Sequence, residues 1–364
     1  MTLPFQEGVP ENPYYKGRGA QLNPKNKYLK GEYTQEYTEG IDEWWQADVP
    51  TAILEEHAKT LVNKVESPDV GMWYSMNPYQ GCEHGCIYCY ARNAHQYWGF
   101  SAGLDFERKV IVKQNAPELL RKFLDNKNWV PKPISLSGNT DCYQPVERKM
   151  WITRQLLDIA LQYKQPVGII TKNSLVLRDK YLLQQLAQHN LVCVYVSLTT
   201  MQEDLRQKME PRTTTGAQRL KVVKELSELG VPVGVMTAPL IPGLNDHEVP
   251  HLLELAAQNG AKYAGYTVVR LNDAVKIIFN DWLYKNFPDR ADKVWHLIEG
   301  MHGGQVNDSE FGRRMRGTGN VADIIRQQFR VHTKKNGLNQ ERFEFNTELF
   351  RRPQVQLSLF DNQA

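Results

Sequence analysis

Six short apolar runs recur through the middle of the chain, and most are followed by a stretch whose apolar positions return every three to four residues. The runs are WYSMNPY (residues 73–79), PISLSG (133–138), PVGIIT (166–171), LVCVYVSL (191–198), PVGVMTAPL (232–240) and AKYAGYTVV (261–269). They are unbroken rather than alternating, as strands are when helices cover them. Between them NAPELLRKFL, ERKMWITRQLLDIALQY, RDKYLLQQLAQH, TGAQRLKVVKELSELG and DHEVPHLLELAAQNG carry the 3.6-residue period of amphipathic helices. Gly230 and Gly260 fall just past the last apolar positions of two of these, where a left-handed cap is expected before the next strand. This alternation predicts parallel βαβ units with right-handed crossovers. A closed or partly closed barrel and a doubly wound open sheet both produce such text.

The flanks read differently. Residues 1–70 are rich in Pro, Asn, Gly, Lys and Tyr, with little apolar periodicity beyond TAILEEHAKTLV, and suggest an extended arm lying on a body. After about residue 274 the strand signal fades into AVKIIFNDWLYKNF, ADKVWHLIEGMH and GNVADIIRQQFRVHTKK. The expected organisation is an arm (1–70), a βα body (71–273), a helical extension (274–350) and a flexible tail (351–364).

Composition narrows the class. The 364 residues are 41% hydrophobic and 23% charged, without an apolar run of eighteen, which argues against a membrane span and a mostly disordered chain. The first residues lack the basic and apolar regions of a signal peptide, and the five cysteines are odd in number and mostly clustered, so a reducing cytoplasm without a disulfide framework is expected. Net charge is +3, from 44 basic and 41 acidic residues, too balanced to argue for nucleic acid from the bulk.

The sharpest local feature is NPYQGCEHGCIYCYAR, with Cys82, Cys86 and Cys89 spaced C-x3-C-x2-C directly after the first strand. A structural zinc site wants four ligands; His84 is available but sits between two cysteines on a tight loop, while Cys142 and Cys193 stand alone. Haem attachment wants a histidine after the last cysteine, where this chain has Tyr90. A four-iron cluster on three thiolates leaves one iron open to a small molecule.

C-x3-C-x2-C with an aromatic residue, here Tyr88, before the third cysteine resembles the signature of the radical S-adenosylmethionine superfamily. The resemblance implies a 4Fe-4S cluster on Cys82, Cys86 and Cys89, S-adenosylmethionine on the open iron, and reductive cleavage to a 5'-deoxyadenosyl radical. It also implies a partial (βα)6 TIM-type barrel, an α/β fold whose site lies at the C-terminal strand ends. Over GRGAQLNPKNKY, SPDVGMWYSMNPYQGCEHGCIYCYAR, SGNTDCYQPVERK and APLIPGLND the chain is similar to bacterial proteins related to spore photoproduct lyase, in a subgroup with an N-terminal GRGA arm.

Site residues follow from the strand ends. Ser137 to Asp141 form a polar turn after the second strand, and by resemblance Thr140 and Asp141 bind the amino-acid end of the cofactor. Lys172, after the third strand, is a cation suited to the methionyl carboxylate, or a solvated lysine. Ser197 ends the fourth strand, placed for a ribose oxygen. Glu210-Pro211-Arg212 offers another cation or a surface turn. Ala238, before Pro239, gives a carbonyl edge for adenine. Resemblance to the lyase offers Cys142 as a hydrogen-atom donor, although it follows Asp141 where the lyase's cysteine comes first; an inert buried thiol is the alternative. Cys193 reads as core. Arg92 is placed to stabilise the cluster and His95 to contact substrate, unless either caps the short helix.

Partners are suggested by the C-terminal third. FGRRMRGTG, IIRQQFRVHTKK and FRRP interleave basic residues with Phe329, Phe343, Phe345 and Phe350, a composition suited to DNA or other nucleic acid or to a solvated helix face. Gln356 to Phe360, QLSLF, resembles the peptide by which bacterial repair proteins dock on the sliding clamp, though these residues also suit packing onto the barrel. The family resemblance further implies a reductase or flavodoxin-type electron donor. The alternatives are the same radical chemistry on a peptide or small molecule, and an iron-sulfur or zinc module without turnover.

Overall fold

The computed structural model describes residues 15–29 and 50–353; the expected clamp motif at 356–360 lies outside them. The described residues contain strands β1 (Ala52–Glu56), β2 (Val62–Lys64), β3 (Tyr74–Met76), β4 (Tyr79–Gln80), β5 (Lys109–Lys113), β6 (Ile134–Leu136), β7 (Val167–Thr171), β8 (Val192–Ser197), β9 (Val233–Leu240) and β10 (Tyr263–Val268). Strands β3, β6, β7, β8, β9 and β10 lie side by side in chain order, all parallel, with β2 antiparallel on the free edge of β3. A doubly wound sheet reverses its order at a switch point, whereas a barrel wall does not. The six expected strands therefore form a partial (βα)6 barrel.

Its core is built from the apolar runs that define the strands. Met76, Ile134, Leu136, Val167, Ile169, Val194, Val196 and Val235 are buried with Leu120, Leu156, Leu157, Leu183, Val223 and Leu253 of the crossover helices. Each such side chain contributes about 1.5–3 kcal/mol on burial. Gly230 and Gly260 adopt φ of 75° and 89°, as their cap positions require.

Three departures from the sequence pattern matter. The expected strand over 73–79 splits into β3 and β4 at Asn77-Pro78: proline has no N–H to continue the ladder, and the Asn77 side chain accepts from the backbone N–H groups of Asn139 and Thr140 at 2.8 and 3.4 Å. The run KVIVK, unassigned in the pattern, is β5, which joins β1 and β4 in a second small sheet. The helical pattern over 147–163 breaks at Trp151 (φ 57°) into Glu147–Met150 and Ile152–Tyr163.

The C-terminal extension holds helices Ala274–Asn286, Ala291–Met301 and Gly319–Lys335. It covers the edge strand: Met315 accepts from the N–H of Val268, and Asn339 bonds the backbone of Lys262 and Ala264. Across the unpaired side of the barrel, Arg314 reaches Asp69 at 2.5 Å and Ser67 at 2.6 Å in the β2–β3 connection. The aromatics expected to stack on bases pack inward instead: Phe329 against Tyr266, Phe343 against Tyr263 and Phe345, and Phe350 against Tyr163. No described helix is long and apolar enough to cross a membrane.

Candidate active site

A cavity of about 430 Å³ opens at the C-terminal ends of the barrel strands and brings Cys82, Cys86 and Cys89 together with Tyr88. Thr140 and Asp141 after β6, and Lys172 after β7, line it too. So do Ser197 at the end of β8 and Ala238 in β9. A wider, shallow hollow of about 880 Å³ lies on the C-terminal helices around Tyr284 and Trp295 and holds none of these residues.

The cysteine loop is fixed from several sides. The N–H of Cys82 donates to Phe106 at 2.9 Å, that of Ile87 to Met209 at 3.0 Å, and Arg212 donates through its N–H to the His84 carbonyl at 3.2 Å. Gln144 accepts from the Glu83 N–H and donates to the Gly81 carbonyl, both at 3.0 Å. Beneath the loop Glu107, fully buried, pairs with Arg92 at 2.5 Å and accepts from the N–H groups of Gly19 and Ala20 at 3.0 and 2.8 Å. Arg92 in turn donates to the carbonyls of Cys86, Ala102 and Gly103. The GRGA arm is thus tied to the cysteine loop through one carboxylate.

Tyr88 connects the loop to the barrel. Its hydroxyl donates to buried Glu210, which is paired with Arg219, and Arg219 donates to the Ser197 carbonyl at 2.9 Å. Burial alone pushes the Glu210 carboxyl up, but the Arg219 guanidinium, with Lys172 and the Tyr88 hydroxyl, outweighs it and holds the group down at about 2. The helical period places Arg219 in a helix and no more; its partner Glu210 lies nine residues earlier, before that helix begins.

Asp141 organises the wall rather than facing it freely. Its oxygens accept from the Thr171 hydroxyl and from the N–H groups of Tyr143 and Lys172, at 2.8 to 3.1 Å. His84 sits 3.4 Å away on its Nδ1 side and 3.1 Å from the Asn173 amide on its Nε2 side. Asn173 accepts from Leu175 with its oxygen, so its NH2 faces His84, which fixes Nε2 as acceptor. Burial lowers the imidazole's pKa and favours this neutral form. The Thr140 hydroxyl likewise donates to the Tyr79 carbonyl at 2.7 Å.

Lys172 and Ser197 keep their functional atoms free: among the described residues neither side chain makes a hydrogen bond or ion pair, and the Lys172 ammonium stands 5.9 Å from the Tyr88 ring centroid. At Ala238 and Pro239, two residues of β9 oppose Thr267 alone, a bulge of the kind that re-aims side chains beside sites.

Some expected residues are elsewhere. Cys142 is fully buried in the barrel core behind Ser137 and does not line the cavity, because its backbone is drawn inward by Ser137 and Thr153. His95 is buried between Phe100 and Phe106, Arg212 is turned to the Gly17 carbonyl and toward Glu83, and Cys193 lies in β8.

The donor set suits a cluster. Burial pushes all three thiols above the ordinary value, so a strong Lewis acid is needed to hold them as thiolates. Among the described residues no three His, Cys, Asp or Glu side chains form the shell of a single metal ion. His84, engaged on both ring nitrogens, does not complete one.

The model of the Radical SAM superfamily matches residues 76–256. An uncharacterized protein of Mycobacterium tuberculosis is 34% identical over 243 residues, 66% of this chain and 71% of that one. Spore photoproduct lyase complexed with dinucleoside spore photoproduct superposes with a TM-score of 0.58 at 14% identity, over 79% of this chain and 80% of that one. A variant of the lyase with bound AdoMet and the dinucleoside gives 0.57 at 15%, over the same shares. At these identities the likeness to the lyase concerns the fold.

Proposed function

The chain belongs to the radical S-adenosylmethionine superfamily, whose members use a 4Fe-4S cluster and S-adenosylmethionine, and we propose that it is an enzyme that directs this chemistry at a nucleic-acid substrate. The observation that carries the reading is the convergence of all three cysteines, Tyr88, Lys172 and Ser197 on one cavity at the C-terminal strand ends. Cys82, Cys86 and Cys89 hold the cluster. When bound, the group supplies one electron that splits S-adenosylmethionine into methionine and a 5'-deoxyadenosyl radical able to take a hydrogen atom from substrate.

The chain's own residues place the reactants. The Lys172 ammonium takes the methionyl carboxylate, the Ser197 hydroxyl a ribose oxygen, and the Ala238 backbone lies along the adenine. Asp141 and Thr140 act as positioning residues, holding the Lys172 backbone and the turn after β6. The electron comes from a reductase or flavodoxin-type donor. Nucleic acid is favoured because the lyase of similar fold binds a dinucleoside and because cations exceed free carboxylates at the cavity wall.

The test is anaerobic. Iron and sulfide are reconstituted, the protein is reduced with dithionite, S-adenosylmethionine is added, and 5'-deoxyadenosine is quantified beside a Cys86→Ala control. Nucleoside formed only with the intact triad supports the reading; none from a fully loaded, reduced protein overturns it.

A further inference from the structure

Among the described residues four charged side chains line the cavity: Asp141, Lys172, Arg270 and Arg314. Both oxygens of Asp141 are consumed by Thr171 and backbone N–H groups. Arg314 is held by Asp69 and Ser67. Two cations are left without a hydrogen bond or ion pair among the described residues, Lys172 on the cysteine-loop side and Arg270 just past β10. The cofactor has one carboxylate, and Lys172, above Tyr88, is the cation beside the cysteine loop. Arg270 is left over.

Its position is costly without a ligand. The side chain is half-buried, and burial together with the neighbouring Arg314 guanidinium disfavours its charged form. The carboxylates that act on it, Asp69 and Asp308, are already paired with Arg314 and Arg313 at 2.5 Å each. A planar, unpaired guanidinium beside a second one is the arrangement that binds an oxyanion bidentately. The surroundings favour a phosphodiester over a carboxylate: Phe311, 55% exposed, lies 4.3 Å over Arg314, and exposed Tyr90 lines the same cavity. Cations interleaved with open aromatic faces are how single strands are held.

We propose that Arg270 takes a backbone phosphate of the substrate strand at the cavity mouth, with Phe311 as the adjoining surface on which a base stacks. This rests on the nucleic-acid reading above and names the group that makes it specific.

The experiment is equilibrium binding of a fluorescent single-stranded oligonucleotide to the full chain over a salt series, by anisotropy. The comparison probes are the same oligonucleotide with a methylphosphonate backbone and an acidic peptide of equal charge. Arg270→Gln, which removes no hydrogen bond or ion pair among the described residues, is expected to weaken binding by roughly tenfold and to lower the slope of log affinity against log salt by about 0.7, the value for one phosphate on a single strand. Arg270→Lys is expected to restore the slope and part of the affinity, an outcome that a misfolded variant would not give. Phe311→Ala is expected to weaken binding without changing the slope. Binding by wild type with the slope unaltered in Arg270→Gln overturns this inference and leaves the nucleic-acid reading standing. Wild type that ignores the oligonucleotide, or prefers the peptide, overturns both, while 5'-deoxyadenosine formation reports separately on the radical chemistry.

Discussion

Gly19 is where the arm presses hardest on the cysteine loop, and replacing it with alanine tests whether the arm holds that loop. A Cβ at Gly19 would overlap the carbonyl oxygen of Gly85 and come within 3.0 Å of its carbon and 3.4 Å of Glu107 Oε1. The obstructing atoms are backbone, so no side chain can rotate aside; the arm or the loop must move. The loop is tied to Phe106, Gln144, Met209 and Arg212, so the arm gives way. Its retreat removes the Gly19 and Ala20 N–H groups from Glu107. A hydrogen bond to a charged group contributes about 1.5–3 kcal/mol, and water entering beside the carboxylate returns part of that, so a loss of about 3 kcal/mol is expected. Gly17→Ala is the internal control. Its φ is +72° but the nearest atom to its added Cβ is 3.9 Å away, leaving only the left-handed backbone cost of about 1 kcal/mol. Urea unfolding followed by tryptophan fluorescence gives the stabilities, and iron per chain with the electron paramagnetic resonance spectrum of the reduced cluster reports on the loop. Gly19→Ala as stable as Gly17→Ala, with full iron and an unaltered spectrum, would refute the bracing role.

Other expectations follow from the same contacts. Glu210 is held at about 2, below its usual range, so its pairing with Arg219 stabilises the fold above about pH 4.5 and is lost as pH falls toward 2; the difference in urea midpoint between wild type and Glu210→Gln should shrink over that window, and a constant difference would count against the assignment. Half-buried Glu203 is shifted in the same direction but cancels in that difference. Lys172→Met should weaken S-adenosylmethionine binding by roughly tenfold or more while leaving iron content intact, checked by equilibrium dialysis of the reconstituted protein; equal affinity would remove Lys172 from the carboxylate. Cys142→Ala should cost about 1–2 kcal/mol as a small core truncation, read by urea unfolding, and unchanged stability would show that the thiol is not packed in the core.

What the sequence pattern revealed was what repeats or clusters locally. The six apolar runs and their helices gave the order of the barrel, and C-x3-C-x2-C gave the loop, because both are written within a few residues. Glu107, Gln144 and Arg219 were not legible, since each acts on a segment distant in sequence: Glu107 on Gly19 and Ala20, Gln144 on Glu83, Arg219 on Ser197. Nothing in their local text separates them from surface charges. Of the two readings offered for Cys142, the structure places the thiol in the core: one position along a tight turn decides whether a thiol faces a cavity or a core, and Ser137 and Thr153 set that turn through bonds the pattern does not contain.

The partition of work follows from where rigidity is available. Parallel strands present their C-terminal ends in register, so single residues there, Lys172, Ser197 and Ala238, can address one small molecule from three directions. The cysteine loop leaves the sheet after β4 and receives no such register; β4 itself is two residues long and belongs to the small sheet with β1 and β5. Its order has to be supplied by chain outside the strands of the large sheet. The arm, the short helix Leu104–Arg108 and the 209–212 segment meet it through Glu107, Phe106 and Met209. The polar N-terminal text that looks like a bare linker is therefore under packing constraint at Gly19, and its removal would reach the cluster before it reached the barrel.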